Sequence, residues 1–165
     1  MEINLKISDL VEIITEDVSR LAARSYAEDG SSLFDGIKLT SRDTGVLGRM
    51  LEERDAKLRD MLAFCLGEPT TDTKSNSEGE EEEEEEESLV YVLLLGDGVK
   101  SSTRSSLKVL VRKYLTEGVL YDWYTKHNIP TTLTLEGIEE METKIVCMVR
   151  QGYIRRPLQP FGPRN

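Results

Sequence analysis

Residues 103–127 read TRSSLKVLVRKYLTEGVLYDWYTKH, and this stretch decides the fold class. Leu107, Leu110, Val111, Tyr114, Leu115, Leu120, Trp123 and Tyr124 recur at the spacing that gathers side chains on the inward side of an α-helix. Asn128 and the Ile129-Pro130 pair stop it, because the residue before a proline is pushed out of the helical region. Thr134 then caps a further helix with the stripe Ile138, Met141, Ile145, Met148 and Val149, ended by Gly152. Upstream, Leu89-Val90-Tyr91-Val92-Leu93-Leu94-Leu95 is rich in β-formers and closed by Gly96-Asp97-Gly98, which predicts a short buried strand. Seven apolar residues alone also suit a buried helix.

The first half repeats the helical pattern. Ser8 is placed to N-cap a helix with Asp9 and Glu12 in its first turn. Leu10, Val11, Ile13, Ile14, Val18, Leu21 and Ala22 form its stripe, to about Ser25. A loop follows, with Gly30, Gly36 and the apolar residues Leu33, Phe34, Ile37 and Leu39 expected to fold back onto the helices. Thr40 or Ser41 starts a second helix that runs to Leu66 and is closed by Gly67 and Pro69. Its stripe is Leu47, Met50, Leu51, Leu58, Met61, Leu62 and Cys65, and Glu53 and Lys57 stand as an i,i+4 pair on the other face.

Between the halves the composition changes abruptly. The net charge of −10 is local, because Glu78 and the unbroken run Glu80 to Glu87 contribute nine negative charges and the rest of the chain carries only −1. Like charges repel, and no apolar area offsets the roughly 1–2 kcal/mol per residue lost on ordering a backbone. Residues 68–87 therefore read as a flexible acidic linker or surface loop. The expected organisation is a helical hairpin over 1–67, the linker, and a strand plus helical hairpin over 88–152, with the hairpins packing as one domain. A basic extended arm over 153–165 completes it, with Pro157, Pro160 and Pro163 barring a continuous helix. The fold class is mainly α: a small bundle of two helical hairpins with one or two short strands and a C-terminal arm.

Several chemistries find no footing. A chain of 165 residues with 38% apolar composition fills one ordinary core, and its longest apolar run is too short to span a bilayer. The N-terminus lacks the basic and apolar regions of a signal peptide, so the expected location is the cytoplasm of the producing cell. Cys65 and Cys147 each fall in an apolar helical pattern and read as buried reduced thiols. With His127 as the sole histidine, no zinc site of nitrogen and sulfur ligands can be assembled, and a helix C-terminus accounts for that side chain. Gly98-Val99-Lys100-Ser101 resembles a P-loop ending, but Val99 intrudes between Gly and Lys, so a tight turn before a Ser-rich helix start is the simpler reading. The glutamate run lacks the spaced ligands of an EF-hand, and no basic face marks a nucleic-acid binder. No catalytic residue, cofactor or metal is expected, nor a small-molecule substrate or membrane. The partner-binding candidates are Arg155, Arg156, Leu158 and Phe161 of the arm, whose apolar side chains a small body leaves poorly covered. The other reading of the arm is a disordered end, or one folded over its own body.

Residues 88–165 resemble small virion-morphogenesis proteins of tailed phages and prophages of gut bacteria. The resemblance is carried by the apolar strand, the Leu120-Tyr121-Asp122-Trp123-Tyr124 segment and the Arg155-Arg156-Pro157-Leu158-Gln159-Pro160-Phe161 end. It implies a non-enzymatic head–tail connector or tail-associated component, whose partners are copies of itself and neighbouring virion proteins. Its expected route is from the bacterial cytoplasm into the virion. The alternative is a small intracellular adaptor that uses its acidic segment to bind a basic protein. The sequence also predicts that a glutamate-specific protease cuts first within 68–87, leaving two fragments that stay associated. Deleting Glu80 to Glu87 should shift the denaturation free energy by less than about 1 kcal/mol.

Overall fold

The computed structural model describes residues 1–24, 41–67 and 87–153. Strand β1 spans Glu2–Lys6, helix α1 Ile7–Arg24, α2 Ser41–Leu62, strand β2 Ser88–Val92, α3 Ser101–Lys126 and α4 Leu135–Gly152. The chain is mainly α, as its periodicity predicts. β1 and β2 form a two-stranded antiparallel sheet in the register Glu2↔Val92, Ile3↔Tyr91 and Leu5↔Leu89. Alternation along β1 turns Ile3 and Leu5 to the core and Glu2, Asn4 and Lys6 outward.

α3 is the hub. Leu107, Val111, Tyr114, Leu115, Thr116, Gly118, Val119, Leu120, Trp123 and Tyr124 are all buried, a spread far wider than one helical stripe. The width reflects its neighbours, since α1, α2 and α4 each pack extensively on α3 while α1 and α2 share only a narrow contact. The helices form one bundle, as expected, in which α1, α2 and α4 are arranged around α3. One contiguous core draws on both halves, from Ile3, Leu10, Ile14 and Leu47 to Tyr91, Trp123, Ile138 and Val149. Of the expected α1 stripe, Leu10, Ile14 and Val18 are buried, while Val11 and Ile13 lie half-buried at its flanks.

The helix ends follow local chemistry. At the close of α3, Asn128 takes φ 54°. Its N–H donates to the Thr125 carbonyl and the Ile129 N–H to that of Tyr124, the paired bonds of a Schellman motif with buried Ile129 as its apolar contact. Thr134 caps α4 as expected, its Oγ1 accepting from the Gly137 N–H at 3.1 Å.

Four local expectations are corrected. α1 begins at Ile7 rather than behind a Ser8 cap, because β1 runs straight into it and the Ile7 N–H is satisfied by the Glu87 carbonyl at 3.0 Å. α2 ends at Leu62, since the chain beyond it pairs with the strand: Gly67 N–H donates to Val92 at 2.7 Å and Leu94 N–H to Cys65 at 2.9 Å. Lys57 reaches Glu142 of α4 at 2.6 Å instead of pairing along its own helix with Glu53. Cys65 is buried as expected but sits in the turn after α2, and Cys147 is exposed on the outer side of α4.

Trp123 is 2% exposed at the centre of this arrangement, with its ring centroid 4.2 Å from that of His127 one turn later. Trp123→Ala should cost about 3–5 kcal/mol by chemical denaturation, since it deletes a large buried side chain from the core.

Candidate interaction surface

The ionisable side chains nearest the core are committed to holding helices together. Arg54 faces inward from α2, 9% exposed, and grips Asp122 of α3 through Nε at 2.8 Å and Nη2 at 2.6 Å. Its stem lies across α3 at Gly118, where an added Cβ would stand 3.2 Å from both Cδ and Nε of Arg54. Burial opposes the guanidinium charge, but the bonds and field of Asp122, with a smaller contribution from Tyr114, outweigh it and raise the pKa. Tyr114 donates to Glu142 at 3.1 Å, and the same carboxylate takes Lys57. Tyr91 of β2 donates to Asp55, which also accepts from Arg59 Nε at 2.8 Å. The Arg59 guanidinium lies 4.8 Å over the Tyr91 ring and donates to the Val90 carbonyl at 3.2 Å. These bonds tie α2 to α3, α4 and β2.

Other candidate features take ordinary structural places. His127 is the exposed C-cap of α3. Gly96-Asp97-Gly98 makes a turn closed by the Val99 N–H donating to Gly96 at 3.1 Å. Among the described residues no group of three or more His, Cys, Asp or Glu side chains is placed to hold a metal ion, and no helix is long and apolar enough to cross a membrane. Clefts open on the surface among the described residues. One lies between α1, α3 and the segment after α3, lined by Asp17, Arg20, Glu117, Tyr124 and Leu133. Another, beside β1, carries Lys6, Lys108 and Arg112 with Asp9.

The feature that points outward is apolar. The run Leu89–Leu95 divides by side: Leu89, Tyr91 and Leu93 are buried, Val90 and Val92 are half-buried, and Leu94 is 41% exposed. The strand ends at Val92 because Leu95 N–H donates to Leu93 at 2.9 Å, a three-residue turn that swings Leu94 outward. Val92 and Leu94 both crowd Gly67, where an added Cβ would meet Leu94 Cδ2 at 3.1 Å and Val92 Cγ1 at 3.3 Å. The absence of a side chain at Gly67 lets both pack closely against its backbone. Phe64, 38% exposed, stands beside the bond that joins Cys65 to Leu94. Its ring meets Tyr153 edge-on at 5.7 Å between centroids and lies 5.5 Å from the Arg150 guanidinium. Tyr153, the C-cap of α4, is bridged to Leu95.

Of the sequence-predicted binding residues, Arg155, Arg156, Leu158 and Phe161 lie outside the described residues, as does the segment 68–86. The chain enters the arm at this apolar strip, which sequence reading did not single out. Leu94 was hidden in a uniformly apolar run, and Phe64 in the last turn of an expected helix. A signal for Arg54 did exist: the α2 stripe has a gap between Leu51 and Leu58, and Arg54 fills it. No protein-family profile, curated protein or solved structure matches this chain.

The buried phenols and thiol set an alkaline limit. Burial pushes the Cys65 thiol up to about 11 and, with Glu142 adding and Arg54 opposing, the Tyr114 phenol up to about 12. Burial and the Asp55 bond drive Tyr91 in the same direction. Each group loses its proton more easily unfolded, so the stabilisation is complete below the unfolded pKa values and is lost as pH rises through the folded ones. Urea midpoints should hold to about pH 9 and fall steadily from there toward pH 12. Tyr114→Phe should reduce the steepness of the upper part of that fall.

Proposed function

We propose that this chain is a non-enzymatic assembly protein that works in several copies, of the head–tail connector or tail-associated kind found in tailed phages. The observation that carries the reading is the outward apolar strip of Val92, Leu94 and Phe64 at the root of a basic, proline-rich arm. Single exposed apolar residues are ordinary, but Phe64 and Leu94 stand near the point where a segment bringing Leu158 and Phe161 begins, and these apolar side chains are suited to mutual burial. The perturbed groups add support: Arg54, Tyr91 and Tyr114 spend their bonding capacity on other helices and strands rather than facing a cleft. The virion assignment rests on the Leu120–Tyr124 and Arg155–Phe161 segments. On this reading the protein is made in the bacterial cytoplasm and ends in the particle, beside neighbouring virion proteins.

Light scattering coupled to size exclusion tests the reading on the full chain. The expected mass is at least twice that of the 18.7 kDa protomer, and it should persist at high salt because apolar burial is poorly screened. A protomer mass at every concentration would remove the assembly role and turn attention to the adaptor alternative.

A further inference from the structure

We propose that the strip formed by Val92, Leu94 and Phe64 is the seat for residues 154–165 of a second copy of this chain, with Leu158 and Phe161 as the side chains buried there. The inference rests on the assembly reading and adds to it the receptor surface and its occupant.

Position supplies the first argument. The arm leaves α4 at Tyr153, whose ring already touches Phe64 and whose backbone is bridged to Leu95. Donor and seat on each copy are therefore adjacent, and two copies related by a twofold axis would exchange arms across one continuous interface. The second argument concerns the direct course back onto its own subunit. The backbone groups just beyond the Leu95 bridge are taken, Leu94 N–H by Cys65 and the Val92 carbonyl by Gly67. Extension of the arm along its own strand is thus blocked at Leu66, which is paired with Leu93. Pro157, Pro160 and Pro163 recur every third residue, a pattern that favours an extended polyproline II course, and Arg156 before Pro157 is held out of the helical region. Proline at every third position stiffens such a sequence, which disfavours doubling back over its own root.

Charge and area agree. Glu2 lies directly opposite Val92 in the register, which sets an exposed carboxylate beside the strip for Arg155 or Arg156 of the incoming arm. The strip alone is small against the roughly 800 Å² that a stable interface takes from each partner. Each copy in an exchange contributes both its strip and a twelve-residue arm, so the contact is made twice. Proline stiffness also lowers the ordering cost of docking.

The test uses full chains and two double variants, Phe64→Arg with Leu94→Arg to spoil the seat and Leu158→Asp with Phe161→Asp to spoil the arm. The altered seat residues are exposed, so circular dichroism and the denaturation midpoint should stay near those of the parent. Each variant alone should self-associate at least tenfold more weakly by sedimentation equilibrium. Mixed together, they should recover a heterodimer, since one copy keeps a good arm and the other a good seat. Parent chains that associate while both variants associate equally well would overturn the arm-and-seat contact and leave the assembly reading standing. Failure of the mixture to associate, with each variant weakened, would overturn exchange between copies. A parent chain that is a protomer at every concentration would overturn both.

Discussion

The ion pair between Arg54 and Asp122 fixes how the two halves of this protein meet. A guanidinium that is largely withdrawn from water is costly unless its donors are matched, and the two-bond grip on Asp122 matches them. The grip works only if the Arg54 stem can lie against α3, and Gly118 provides that room by having no side chain. Three residues spread over 68 positions are thus one device. Its energetic value relative to an apolar replacement can be small, but its geometry is directional. It sets the register of α2 along α3 in a way that interchangeable leucines do not.

Around that pair the remaining polar bonds act as a second set of constraints. Glu142 of α4 takes both Tyr114 and Lys57, so α2, α3 and α4 converge on one carboxylate. Asp55 does the equivalent for Tyr91 and Arg59, joining α2 to the sheet. The sheet also links the halves, since β1 leads into α1 and its partner β2 comes from beyond the acidic segment. Neither half has a complete core without the other. The fold therefore depends on long-range contacts even though most of its residues are helical.

The same economy explains where the protein can still make contacts. Most large apolar side chains are used inside, and among the described residues Phe64, Leu94, Val109 and Leu135 remain as the large exposed ones. Val109 and Leu135 stand on helices, one on α3 and one at the start of α4. Phe64 and Leu94 are joined by backbone pairing beside Tyr153 and Gly67. A turn at Leu94 exposes what a regular strand would have shared between its faces.

Much of the architecture was legible in the residues because it depends on local periodicity. The four helices, the strand at 88–92, the Thr134 cap and the stop at Asn128 all follow from spacing and from backbone preferences that act within a few residues. The buried place of Trp123 follows from its stripe in the same way. Tertiary structure alone decided the rest. Residues 2–6 carry an alternation too short to read until Leu89–Val92 is beside them, and α2 stops at Leu62 because β2 competes for the backbone of Cys65–Gly67. Lys57 lies within reach of Glu53 along its helix, but packing brings a half-buried carboxylate of α4 closer. A charged residue in an apolar stripe reads as an interruption until Asp122 and Gly118 arrive opposite it. Local sequence sets which backbone conformations are cheap, but partners for buried polar groups exist only once distant segments have met.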